Sequence, residues 1–341
     1  MVRDMPSIYQ VPILLEEQGL VPQLIDILNL ANTTPPMDST MWQQWRKLTL
    51  GNSRFYDPVT IALVGKYIEL HDAYTSVIKS LEHCAMRCRR QLNLVWVDAE
   101  HLEPHMRDSD GTRFHKAWHD ICTADGILVP GGFGKRGTEG MIAAAKYARE
   151  NKKPYLGICL GMQIAVIEYA RHVCGVSAAT SEEFDGGAGD KVVLYMPELD
   201  KKTMGATMRL GLRPTHFQPG SEWSKLRALY GSQDVILERH RHRYEVNPEY
   251  IVKLEEGGLS FVGKDDAGVR MEIAEIKGHP WFVGVQFHPE YLSRVLKPSK
   301  PYLGFLAASA GCLEETTRDV KGKPLGMGEE VNGVDGVNGH F

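Results

Sequence analysis

The chain has 341 residues, 43% of them hydrophobic, and a formal net charge of −4. That length allows one large or two modest domains, the composition is that of an ordinary globular protein, and no basic excess points to nucleic acid. No basic N-terminal segment leads into an apolar core, and no apolar run approaches the ~20 residues that span a bilayer, so no membrane partner is expected. The six cysteines, Cys84, Cys88, Cys122, Cys159, Cys174 and Cys312, form no paired C-x-x-C arrangement. Reduced thiols in the cytoplasm are the expectation, with Cys84 and Cys88 one helical turn apart as packing residues.

Three regions follow along the chain. Residues 1–56 hold two proline-marked apolar stretches, a loop at Asn32, Thr33, Thr34, Pro35 and Pro36, and a polar, tryptophan-bearing helix over 41–48. From 57 to 312 strands and helices alternate. Strands are expected over 60–65, 92–97, 126–129 and 155–158. Helices are expected over 71–89, 138–149 and 162–171, the last with Glu168 on its exposed side. This order implies an α/β fold, a doubly wound and mostly parallel sheet with helices on both faces. Strands over 192–196, 207–212 and 235–246 follow at closer spacing and suggest an antiparallel addition. Residues 313–341 are expected to be a disordered tail, near-repetitive in Val, Asn, Asp and Gly from about Lys321.

The segment Pro154 to Gln163 places Cys159 where a strand turns into a helix, between Gly157 and Gly161. This is the thiol counterpart of the G-x-S-x-G nucleophile elbow, in which small residues let strand and helix backbones pass closely. A thiol at a helix N-terminus feels the positive end of the helix dipole, which favours the attacking thiolate. Taken alone, a structural cysteine between packing glycines fits as well. A partner histidine decides, and Trp281 to Glu290 supplies one: an apolar strand stops at Pro289, just after His288. In extended chain Glu290 lies on the same side as His288, so its carboxylate can hold one ring nitrogen while the other serves the thiol.

Two other patterns carry alternative chemistry. Gly132, Gly134 and Gly137 fit G-x-G-x-x-G after a strand, but the unit is not the first βα unit and no acid follows at the distance of a ribose contact. Glycines before a helix can instead aim backbone N–H groups at an oxyanion. In Arg239, His240, Arg241, His242 and Arg243, strand parity puts the histidines on one face and the arginines on the other. Two histidines with no third ligand evident predict no metal, while the arginine face suits carboxylates.

Gly157-Ile158-Cys159-Leu160-Gly161-Met162-Gln163 with Phe287-His288-Pro289-Glu290 resembles the class I (triad) glutamine amidotransferases. The stretches 129–140, 207–211, 238–247 and 7–19 are similar, more narrowly, to the CTP synthase family: its amidotransferase domain, and for 7–19 the end of its synthase domain. The resemblance implies catalytic Cys159, His288 and Glu290, and an oxyanion hole from Gly132 and Leu160. It also implies L-glutamine contacts at Gly132, Leu160, Gly161, Met162, Gln163, Glu183 and Arg243. GTP is implied as an allosteric activator, touching Phe133 and Arg241. It further implies that ATP, Mg2+ and UTP bind a synthase domain preceding residue 1, so that no cofactor belongs to this chain. The partners would then be that domain or full-length CTP synthase subunits. Two other readings stay open, a free-standing γ-glutamyl hydrolase-like enzyme and a non-catalytic truncated partner of full-length CTP synthase.

Overall fold

The computed structural model describes residues 5, 7–30, 39–50, 56–184, 189–196 and 208–322. Twelve strands are present among them: β1 Pro58–Gly65, β2 Gln91–Asp98, β3 Gly126–Val129, β4 Tyr155–Ile158, β5 Ala179–Ser181, β6 Asp190–Tyr195, β7 Arg209–Phe217, β8 Val235–His242, β9 Tyr244–Val246, β10 Leu259–Lys264, β11 Met271–Ile276 and β12 Phe282–Val285. Nine form one sheet in the order β2-β1-β3-β4-β12-β11-β10-β7-β8. The first five run parallel, and β11, β10, β7 and β8 extend the sheet in antiparallel fashion. The expected doubly wound sheet with an antiparallel addition is therefore the observed one.

Two apolar cores cover its faces. Alternate residues of β1 serve each: Ala62 and Val64 join the core with helices Gly111–Thr123, Thr138–Glu150 and Leu160–His172. Ile61 and Leu63 join the core with helices Thr75–Cys88 and Lys300–Ser309. This is the period-two alternation of a strand buried on both sides. Because β1 pairs with β2 on one edge and β3 on the other, the strand order reverses there. The C-terminal ends of β1, β3, β4 and β12 consequently open onto one crevice, where ligands of such sheets bind.

Several expectations need correction. The strand over 192–196 does not extend the main sheet: β6 lies in a separate three-stranded sheet, β5-β6-β9. Glu168 is buried at 0% exposure rather than exposed, because its carboxylate pairs with Arg149 at 2.8 Å across two packed helices. Helix Leu313–Gly322 continues past the boundary expected at 312. The loop 32–36, Thr207 and residues 323–341 lie outside the described residues. The tryptophan-bearing helix is present as Ser39–Thr49, and the apolar stretches before it are the helices Val11–Glu17 and Leu20–Ile27. Among the described residues no helix is long and apolar enough to cross a membrane.

Candidate active site

Cys159 caps the N-terminus of helix Leu160–His172 with φ 53° and ψ −103°, a conformation that costs a non-glycine residue of order 1–3 kcal/mol. The surroundings enforce it. Cys159 N donates to Val285 O at 2.7 Å, which ties the turn to β12. A Cβ on Gly157 would meet Gly161 O at 2.5 Å, and one on Gly161 would collide with the Val129 carbonyl. Strand and helix can cross this closely only with glycine on both sides of the cysteine.

His288 and Glu290 follow β12, beside β4. The pair is made as expected, His288 Nδ1 to Glu290 Oε1 at 2.7 Å, but not by an extended chain. His288 caps a 3₁₀ turn, Pro289–Leu292, and the turn swings Glu290 back onto the ring. The imidazole lies beside the Cys159 side chain, whose Sγ donates to Arg241 O on β8 at 3.8 Å. Burial alone would push His288 down, but the Glu290 carboxylate and the Cys159 side chain beside it raise it well above its ordinary 6.5. Exposures of 6%, 8% and 9% for Cys159, His288 and Glu290 keep bulk water from screening the cluster. The His288 ring stacks on Tyr291 at 5.3 Å, and His288 N donates to Arg239 O at 2.7 Å, which fixes the turn against β8.

The loop after β3 closes over this pair. A Cβ on Gly131 would lie 2.8 Å from His288 Cε1 and 3.6 Å from Cys159 Cβ, and one on Gly132 would lie 3.3 Å from Leu160 Cδ2. Gly131 thus packs on Cys159 and Gly132 on Leu160, the residue after it. Met162 N and Gln163 N donate to Cys159 O at 3.1 and 3.2 Å, whereas Leu160 N, first in the helix, has no carbonyl one turn back to donate to. Lys66, at the end of β1, anchors the loop by donating from Nζ to Phe133 O at 3.2 Å and to Gly134 O. Burial, the leading cause, lowers the Lys66 ammonium to about 8.

The remaining predicted contacts divide. Glu183 Oε1 accepts from Gly134 N at 2.7 Å, so this carboxylate borders the same loop. Burial raises its pKa above the ordinary 4.5, against the pull of Gly134 N, Lys66 and Arg243. Arg243 is not on the arginine face of β8, as parity suggested. It stands at the bend between β8 and β9, within electrostatic reach of Glu183, and its buried Nε has no hydrogen-bond partner among the described residues. Gln163 is buried, with Nε2 donating to Tyr244 O at 3.1 Å and Gln286 Oε1 at 3.2 Å. The Met162 side chain faces away from the thiol, into the core against Gly284, and Gly161 O accepts from Tyr155 OH at 2.8 Å. Only the backbone of these two residues can face a ligand at the elbow.

Phe133 and Arg241, distant in sequence, meet at the rim: the guanidinium lies 5.8 Å from the ring centroid, and Phe133 is 40% exposed. The expectation that His240 and His242 lack a third ligand is corrected by Glu272 on β11, whose carboxylate lies with both imidazoles within 4.8 Å. Lys66, Gly131, Tyr244, Gln286 and Glu272 escaped the sequence analysis. For Lys66 and Gly131 a signal existed, since both follow strands at the point where the sheet order reverses.

Comparison with known proteins agrees with this architecture. A family model described as "Glutamine amidotransferase class-I" matches residues 69–308. The chain belongs to the class I glutamine amidotransferases. Within that family it is similar to CTP synthases. The Neurospora crassa protein is 62% identical over 325 residues, covering 94% of this chain and 56% of that protein. The Schizosaccharomyces pombe protein is 59% identical over 318 residues, covering 92% and 53% respectively. The chain therefore spans little more than half the length of these relatives. Among solved structures, the glutaminase domain of Trypanosoma brucei CTPS with bound acivicin is similar at a TM-score of 0.67 and 41% identity, covering 74% of this chain and 94% of that one.

Proposed function

We propose that this chain is a glutaminase, the ammonia-producing part of CTP synthase, with Cys159 as nucleophile, His288 as acid–base and Glu290 as its orienter. One observation carries the reading: an imidazole bonded to a buried carboxylate and lying beside a cysteine held at a strained helix N-terminus. A raised His288 beside the thiol favours the imidazolium–thiolate pair. The thiolate attacks the amide carbon of glutamine, and the developing oxyanion takes hydrogen bonds from Leu160 N and Gly132 N. His288 gives its proton to the departing amine, releasing ammonia and leaving a γ-glutamyl thioester on Sγ. The same imidazole then takes a proton from the water that cleaves the thioester, yielding glutamate.

Free glutamine carries an ammonium and an α-carboxylate. Glu183 answers the first and Arg243 the second, and their proximity at the mouth of the loop fits one amino-acid zwitterion. Gln163 completes the contact with its Oε1, since its nitrogen is already committed. That pair of opposite charges favours free glutamine over the longer substrate of a γ-glutamyl hydrolase-like enzyme.

The similarity to CTP synthases supports a destination for the ammonia, the conversion of UTP to CTP in pyrimidine nucleotide biosynthesis. ATP, Mg2+ and UTP are then bound by a synthase domain or by full-length CTP synthase subunits, outside these residues. GTP is proposed to engage Phe133 and Arg241, whose ring and guanidinium suit a base and phosphate. Glutamate release from glutamine by the purified chain, lost in Cys159→Ala, tests the reading. Equal release by the variant overturns it.

A further inference from the structure

The histidines of Arg239, His240, Arg241, His242 and Arg243 sit under the proposed glutamine-binding corner, and their hydrogen bonds and close contacts form a buried path. His242 Nδ1 donates to Tyr244 O at 3.0 Å, and the same carbonyl accepts from Gln163 Nε2 at 3.1 Å. His240 Nδ1 lies 3.2 Å from His242 Nε2 and 3.5 Å from Glu272 Oε2, and Glu272 Oε1 pairs with Arg209 Nη2 at 3.3 Å. Arg243 is therefore bracketed. On one side is His242, and on the other is Tyr244, whose carbonyl holds both an imidazole and Gln163. Met196 N also donates to Arg243 O at 2.9 Å, pinning the bend to the small-sheet side.

The path has one consistent proton arrangement. If His242 spends its single N–H on Tyr244 O, its Nε2 is a lone pair, so His240 must donate from Nδ1. Both rings are then neutral. Burial, with Arg209 on β7, Arg213, Arg270 and His288 adding positive charge around them, lowers His240 to about 2 and His242 to about 3.

We propose that His242, backed by His240, is a positioning residue for glutamine binding: a neutral hydrogen-bonded strut that sets the β8–β9 bend and so aims Arg243 and Gln163 at the substrate. This rests on the glutaminase reading and deepens it. A strut of this kind acts chiefly on substrate affinity, because the His240 and His242 side chains make no hydrogen bond to Cys159, His288 or Glu290 and their strand meets that cluster only through the backbone, at Arg239 O and Arg241 O.

The test compares His242→Phe, which keeps ring bulk but has no donor, with His242→Asn, whose amide can still reach a carbonyl. The Phe variant is expected to raise KM for glutamine at least tenfold with kcat within about threefold of wild type, and the Asn variant to recover most of the loss. The rate of Cys159 alkylation by iodoacetamide should match wild type in both. An active Phe variant with unchanged KM overturns the inference and leaves the glutaminase reading standing, whereas a wild-type chain inactive on glutamine removes that reading itself. Nitrogen-15 NMR of the wild-type imidazoles gives an arm that does not depend on a variant folding. A Nδ1–H tautomer of His242, unchanged between about pH 5 and about pH 8, supports the strut, and an Nε2–H tautomer overturns it. Zinc retained stoichiometrically by purified wild type and lost from the Phe variant also overturns it, since the His240, His242 and Glu272 atoms would then be metal ligands.

Discussion

Glu290 reaches His288 from a 3₁₀ turn, with Oε1 2.7 Å from Nδ1, while its Oε2 is buried with no hydrogen-bond partner among the described residues. One oxygen is thus devoted to holding the ring. Glu290→Gln keeps the shape but replaces the carboxylate that raises His288. Glutamine turnover is expected to fall by about 10²-fold or more, and the His288 pKa, followed by NMR, to move down. A variant with unchanged turnover and an unmoved His288 would mean that Glu290 is only structural.

Arg243 and Glu183 should govern affinity. Losing one charge-assisted contact costs about 1.5–3 kcal/mol, so Arg243→Ala and Glu183→Gln are each expected to raise KM for glutamine by about 10–100-fold. Steady-state kinetics separates this from a catalytic defect. Because Glu183 also accepts from Gly134 N, its variant should lose some kcat as the loop loosens, and Arg243→Ala should not.

Gly161→Ala probes the elbow without touching any reacting group. Its new methyl would press on the Val129 carbonyl. Overpacking of this kind costs about 1–3 kcal/mol, which chemical denaturation can measure, and turnover should fall because Cys159 is displaced. A fully stable and active variant would show that the strand–helix crossing is looser than described.

How much of this was legible beforehand depended on the range of the interaction. The elbow could be read because its cause is local: two glycines beside one cysteine. His288 and Glu290 could be named, but the extended-chain reason for their pairing was wrong, since Pro289 starts a turn. Parity put His240 and His242 on one face, which the structure buries, and failed at Arg243, because β8 ends one residue earlier. Glu168 looked like a solvent-facing residue until Arg149, from a helix packed beside it, was in place. Glu272 and Gln286 matter only because sheet order carries distant segments together, and one chain read in isolation holds no signal for that register.

Stability should show a plateau in acid-to-neutral solution. Burial, the leading cause in each case, raises Glu238 and Glu275 to about 7 and Glu272 to about 8, and lowers His240 to about 2, His242 to about 3 and His279 to about 4. The raised glutamates bind more protons folded than unfolded above 4.5, so stability falls as pH rises towards 7–8. The lowered histidines bind fewer protons folded than unfolded below 6.5, so stability falls as pH drops. Between 4.5 and 6.5 the two sets oppose each other. Thermal melts across this range should be flat there and fall on both sides. Glu275→Gln should shallow the alkaline fall, and an unchanged slope would remove Glu275 from this account.

The most direct test of the central claim is intact-protein mass spectrometry after exposure to a glutamine analogue whose side-chain amide is replaced by a chloroketone. The account predicts a single adduct, mapped to Cys159 among the six cysteines, suppressed by glutamine and absent from Cys159→Ala. Adducts spread over other cysteines, or a Cys159 that glutamine does not protect, would contradict it.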